Sequence, residues 1–194
     1  MADQLCTPED LAALLQLDWA ALSEAEQARL TLLVEAATAV VQAAAGQRIV
    51  LVEDDQIELM GTTDSWLDLP QRPVSVVSAV SVDGSPLTVD AYRRFGGRLW
   101  RGCGWASCPT APSVVSLTYT HGYPPGDQGL ELARSAALGL AAGVAGSPAG
   151  VTREQIDDYS VAYDAAASLM DGSPTLRGSL RRAYGRRAGL VRVG

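Results

Sequence analysis

Val74-Ser75-Val76-Val77-Ser78-Ala79-Val80-Ser81-Val82-Asp83-Gly84 is the stretch on which the fold turns. β-Branched residues alternate with small polar ones and run into Asp-Gly, a pair suited to the two positive-φ positions of a tight hairpin. This predicts a strand over 74–82, a turn at Asp83-Gly84 and a return through Leu87-Thr88-Val89. Further on, Tyr92 to Trp100 reads as a second hairpin around Gly96-Gly97, and Ser113 to Tyr119 as the closing strand. Backwards from Val74, Pro73 and Pro70 bracket a bend. Trp66-Leu67-Asp68-Leu69, Ile57-Glu58-Leu59 and Ile49-Val50-Leu51-Val52 precede it as short strands. A Gly/Trp/Cys-rich loop spans Gly102–Pro112.

Outside this segment the period lengthens. Thr7-Pro8-Glu9-Asp10 carries an N-cap, a Pro at the first helical position and first-turn acids, opening a short helix that is expected to end near Asp18. Ser23-Glu24-Ala25-Glu26 is a capping box. The long helix behind it repeats Leu30, Leu33, Val34, Ala37, Val40, Val41 and Ala44 before Gly46, a natural helix-ending residue. A helical pattern resumes near Gly126-Asp127 with Leu130, Ala133, Ala137, Leu140, Ala141 and Val144, and breaks at Ser147-Pro148. Ile156 to Tyr163 alternates and reads as one more strand. Ser173-Pro174 then starts a last helix through Leu176, Leu180 and Tyr184, with Gly189 to Gly194 as a flexible tail. The expected class is α+β: a helical core of two N-terminal helices, a central Ala/Gly-rich helix and a C-terminal helix, with an inserted antiparallel β region. Its segments are 1–47 (helices), 48–122 (β region), 123–172 (central helix and following strand) and 173–194 (basic helix and tail).

The 194 residues carry a net charge of −7, and every basic side chain is Arg. Lys and Asn are absent, a mark of a high-GC genome. Residues 1–171 hold all 22 acids against nine Arg, a net of −13, while 172–194 hold six Arg and no acid. An acidic body repels phosphates, which argues against a general nucleic-acid coat. At 47% hydrophobic the chain is able to bury a core. Three Cys argue against a disulfide framework and fit a reducing cytosol. Met1 to Cys6 lacks the basic and apolar regions of a signal peptide. The uncharged run between Arg134 and Arg153 is mostly Ala and Gly, so it suits a close-packed helix better than a membrane span.

The chemistry-bearing residues form no recognisable catalytic set. His121 is the only histidine; Cys103 and Cys108 with a distant His121 match zinc spacing poorly, and nothing local supports a Cys–His nucleophile. Glu53-Asp54-Asp55 and Asp157-Asp158 lack calcium-loop alternation. No Lys exists for a P-loop, and no Gly-x-Ser-x-Gly elbow occurs. A non-enzyme without metal or cofactor is therefore expected. Trp66, Trp100, Tyr92 and Tyr119, in or beside strands, read mainly as sheet core. Trp105, in the Gly/Cys/Ser loop, reads as exposed and as a candidate partner contact. The basic end is open to three readings: a solvated helix, a weak DNA contact, or a docking arm whose guanidinium groups seek carboxylates.

In order and wording the segments resemble the head-to-tail adaptor (head–tail connector, head completion) proteins of tailed bacteriophages and prophages. The residues that carry the resemblance begin with Thr7-Pro8-Glu9-Asp10-Leu11 and the Ala-rich helix ending at Gly46. They continue with Leu69-Pro70-Gln71-Arg72-Pro73-Val74, Val80-Ser81-Val82-Asp83-Gly84 and Leu117-Thr118-Tyr119-Thr120-His121-Gly122-Tyr123, and finish with Ile156-Asp157-Asp158-Tyr159-Ser160-Val161-Ala162-Tyr163 before a basic helix. The resemblance implies a homo-oligomeric, dodecameric ring beneath the capsid portal, extending the DNA channel and offering a platform to a stopper or other tail-side protein. It implies transient contact with passing viral DNA, no membrane, and a place in the virion neck after assembly in the host cytoplasm. Portal docking would fall to Arg177, Leu180, Arg181, Arg182, Tyr184, Arg186, Arg187, Leu190, Val191 and Arg192. Subunit packing would fall to Ala37, Val41, Ala44, Gly139, Leu140 and Gly143. The β region departs from the smallest, nearly all-helical members. A tail-completion or stopper protein is the alternative, followed by a DNA-binding regulatory module using the Arg-rich tail.

Overall fold

The computed structural model describes residues 4–108, 110–146 and 158–185. The fold is α+β. The chain divides into two compact units: a helical one from Met1–Ile49 with Gly126–Gly194, and a β unit from Val50–Pro125.

In the helical unit, α1 (Pro8–Leu14) starts at a capping box in which Thr7 and Asp10 exchange hydrogen bonds. It stops earlier than the sequence suggests, because Gln16 takes a positive φ of 60° and a single 3-10 turn, Trp19–Ala21, follows. The second capping box, Ser23 with Glu26, opens α2 (Glu24–Ala45), and Gly46 closes it at φ 76°. α2 is the axis of the unit, packing against α1, α3 (Glu131–Gly146), α4 (Asp158–Asp171) and α5 (Pro174–Tyr184). Enclosure by several helices explains why Ala36, Ala37, Val40, Val41, Ala44 and Ala45 are all buried: small side chains let neighbours approach from more than one side. α2 is long and apolar enough to cross a bilayer by composition, yet its apolar residues form this core.

The expected strand over Ile156–Tyr163 is corrected. From Asp158 the chain is helical, and Ala162, Ala166 and Met170 are buried at four-residue steps. That period continues beyond the short alternation of Tyr159, Val161 and Tyr163 and decides the element. Arg134 of α3 ties the unit to α1 through Asp10 at 2.9 Å. The Ser147-Pro148 break, Ile156-Asp157 and the 189–194 tail lie outside the described residues.

The β unit holds two sheets around one core. β1 (Val52–Gly61), β7 (Ser113–His121), β3 (Val74–Val82) and β4 (Ser85–Pro86) form an antiparallel sheet in that order. β2 (Trp66–Asp68), β6 (Arg98–Trp100) and β5 (Arg93–Phe95) form the second. The expected strand Ile57-Glu58-Leu59 lies within β1, but of Ile49-Val50-Leu51-Val52 only Val52 does, Val50 making an isolated bridge to Tyr123. β1 is irregular between Val52 and Asp55, where Asp54 adopts φ 48°. Asp83 and Gly84 make the expected hairpin at φ 49° and 77°. Its return is Ser85–Pro86 rather than Leu87–Val89, since a 3-10 turn begins at Val89. Asp83 also exchanges 2.8 Å hydrogen bonds with Val114, pinning the turn to β7. Leu67, Leu69 and Leu99 from one side meet Val80, Val82, Val115, Leu117 and Tyr119 from the other.

Candidate assembly surfaces

Tyr119 is buried and Tyr92 packs on the core as expected, whereas the tryptophans of the β unit are placed the opposite way from the sequence expectation. Trp105 is fully buried; its indole N–H donates to the Ser65 carbonyl at 3.1 Å, and its ring lies 6.4 Å from Tyr92. The Trp105 main chain is equally enclosed, its N–H donating to Thr62 at 2.7 Å, and a side chain at Gly61 would run into the Trp105 carbonyl. A partner contact through Trp105 is therefore excluded: the Gly-rich loop folds its one large apolar side chain into the core. Trp66 and Trp100 instead stand on the outside, 38% and 36% exposed, with Phe95 at 54%.

Strand parity explains the exchange. Along β2, Trp66 shares a face with Asp68 while Leu67 points inward; along β6, Trp100 sides with Arg98 while Leu99 is buried; along β5, Phe95 sides with Arg93. The charged residue two positions away was the available signal. On this face Trp66 and Phe95 meet edge-on at 5.5 Å, and the Arg98 guanidinium lies 4.9 Å above the Trp66 ring. Asp68 holds Arg98 at 2.9 Å and Arg72 at 3.2 Å. The result is an apolar platform with an excess of guanidinium groups.

The outer face of the four-stranded sheet has another character. Ile57 and Leu59 pack on the core, so Gln56, Glu58 and Met60 face out, Met60 at 69% exposure beside its register partner Val114 at 49%. Asp54 belongs to this face, accepting from the Ser78 hydroxyl at 3.0 Å. β1, β3 and β7 contain no Arg at all.

The proposed docking residues divide. Leu180 and Tyr184 are buried in their own helical unit, so they are corrected from partner contacts to anchors. The spacing Leu176, Leu180, Tyr184 is the inward stripe of an amphipathic helix. Tyr184 donates to the Gly129 carbonyl at 2.6 Å and accepts from the Ala133 N–H at 3.3 Å. Arg177 pairs with Asp171 at 2.8 Å, while Arg181 and Arg182 are exposed. Arg186, Arg187, Leu190, Val191 and Arg192 lie outside the described residues.

A similar correction applies to the small-residue set. Ala37, Val41, Ala44 and Leu140 are buried inside the subunit, where they pack helix on helix, and are not open to another copy. Gly139 and Gly143 of α3 are exposed; a side chain at Gly139 would meet nothing, whereas one at Gly143 would press on Leu169.

The nucleophilic and titratable groups are dispersed. His121 is buried with Nε2 3.1 Å from Asp55 Oδ2, and its ring lies 5.0 Å from that of Tyr119. Cys6 is buried; desolvation, with Asp10 nearby, pushes its thiol up to about 11, which keeps it protonated and unreactive. Cys103 and Cys108 are exposed, and the Thr110 side chain 3.1 Å away lowers the Cys108 thiol. Among the described residues no three His, Cys, Asp or Glu side chains gather as a metal site would need.

No protein-family model and no curated protein matches the chain. Among solved structures it is similar to a chain from the neck of an empty GTA particle computed with C6 symmetry. The TM-score is 0.54 at 18% identity, over 84% of this chain and 89% of that one. At this identity the likeness is one of fold.

Proposed function

We propose that this protein is a structural component of the neck of a tailed-phage-like particle, acting as a head-to-tail adaptor. In this reading copies of the chain form a ring, dodecameric by resemblance to the adaptor family, beneath the portal. The ring lengthens the DNA channel and receives a stopper or tail-side protein. The observation that carries the reading is the fold shared over 84% of the chain with a neck chain of a GTA (gene transfer agent, phage-like) particle. The order of the sequence segments supports it independently.

The physical properties agree with that role. A channel wall must let DNA slide, and a body of net −13 repels phosphates instead of gripping them. A ring repeats one heterologous contact, so modest patches suffice when the rotation closes. Arg181 and Arg182 project from α5, continuous in sequence with Arg186, Arg187 and Arg192, and guanidinium groups favour bidentate pairing with carboxylates on a partner. Particles assembled without this protein test the reading. DNA-filled or leaking heads without tails are expected; complete heads accompanied by free tails with abnormal ends would instead indicate a tail-completion role.

A further inference from the structure

We propose that the two outer faces of the β unit bind one another between neighbouring copies of this chain, making the β unit an interlocking contact around the assembly. The inference takes from the ring reading above only the closure of the contact into a circle.

The first face is the β2–β6–β5 surface. Trp66, Phe95 and Trp100 form an exposed aromatic platform, an uncommon sight on a solvated surface, and large aromatics are the residues that anchor interfaces. Around them stand Arg72, Arg93 and Arg98; Asp68 pairs with Arg72 and Arg98, and the Asp64 carboxylate is engaged by the Trp66 N–H at 3.0 Å. These three Arg stand at this face of an otherwise acidic body, while Arg94 turns to the other side of β5 and donates to the Val74 carbonyl at 2.6 Å. Arg93 makes no ion pair within the described residues.

The second face is the outer surface of β1 and β7. It offers Asp54 and Glu58, no basic residue, and the exposed apolar pair Met60 and Val114. Glu58, like Arg93, has no ionic partner among the described residues. Thioether and aromatic surfaces pack favourably, and the charges are opposite in sign. β1 is moreover the end strand of its sheet, with one backbone edge unpaired by any described strand.

Geometry selects a second copy as the occupant. Ile57 and Leu59 of one sheet and Leu67 and Leu99 of the other point into a common core, so the two outer faces look away from each other. A chain cannot join them to itself. Two complementary patches on opposite sides define a heterologous, head-to-tail contact, the kind that generates rings when the rotation closes.

Arg93→Glu and Glu58→Arg test this, since neither side chain makes an ion pair within the described chain and both variants should fold, as circular dichroism will verify. Self-association of the full chain is followed by light scattering and native mass spectrometry. Each variant alone sets like charges against each other, and its association should weaken at least about tenfold. An equimolar mixture restores opposite charges at every contact when copies alternate, and should recover association close to the wild type. Self-association retained by both variants overturns the inference while leaving the ring reading intact, as does a mixture that fails to recover. Variants that self-associate normally but lose a portal or tail protein would assign the aromatic face to that partner and equally overturn it. A wild type that stays monomeric at its highest soluble concentration overturns the inference too, and the ring reading is then judged on the portal complex.

Discussion

The phenolic O–H of Tyr184 donates to the Gly129 main-chain carbonyl across 2.6 Å, and the same oxygen accepts the Ala133 N–H at 3.3 Å. One side chain near the end of α5 thus serves a donor that the first turn of α3 leaves without a helical partner. Tyr184→Phe should cost about 1–3 kcal/mol, because two main-chain groups lose their partner. Tyr184→Ala should cost about 3–5 kcal/mol by adding a cavity. Urea denaturation of the full chain measures both, and equal stability of all three proteins would refute the anchoring role.

The same contact decides how the basic end is to be tested. Deletion from Arg177 onward would remove Leu180 and Tyr184 and so damage the helical unit itself. A chain ending at Gly185 keeps both anchors. It should unfold at the same denaturant concentration as the full chain and lose affinity for the portal. Portal binding at undiminished affinity would remove the tail from the docking surface.

Trp105→Ala should destabilise the β unit by about 3–5 kcal/mol, as expected for emptying the site of a buried aromatic ring. Trp105→Phe should cost less, about 0.5–1.5 kcal/mol for the lost indole hydrogen bond, because the Ser65 carbonyl keeps the Arg101 N–H at 2.9 Å. Thermal unfolding followed by near-ultraviolet circular dichroism reports both. Wild-type stability in the alanine variant would contradict its place in the core.

Asp10 makes a sign-specific prediction. Burial on its own would raise its carboxyl pKa, but hydrogen bonds from Thr7 and Arg134 outweigh this and hold it below the ordinary 3.8. A depressed carboxylate contributes stability that is complete above the ordinary value and disappears as pH falls through the folded one. Asp10→Asn should therefore lower stability at neutral pH and flatten part of the acid limb between neutrality and strongly acidic pH. An unchanged acid limb would show that the Asp10–Arg134 pair at 2.9 Å is immaterial to stability.

Much of this architecture is legible in the residues. Caps at Thr7 and Ser23, the stop at Gly46 and the turn at Asp83-Gly84 are local hydrogen-bonding and φ requirements, and such signals survive tertiary context. Faces were harder to read. Val161 and the tyrosines around it alternate over too few residues to outweigh the four-residue spacing of Ala162, Ala166 and Met170. Trp66 and Trp100 sit on three-residue strands, where a single charged neighbour at the second position is the whole of the amphipathic signal. Trp105 has no periodic context, and its burial depends on Gly61 and Ser65, more than 39 residues away in the chain, closing over it. That Ala37, Val41, Ala44 and Leu140 pack inside the subunit is hard to read for a related reason. Small side chains at helical spacing signal close packing, but nothing in the spacing says whether the neighbour is the same chain or another.

Electron cryomicroscopy of the protein mixed with the portal of its own particle tests the central claim most directly. A head-to-tail adaptor gives a ring of added density coaxial with the portal, into which the helical unit and the β unit can each be fitted in every repeat. Portals that show no added density with the protein in excess would contradict that claim.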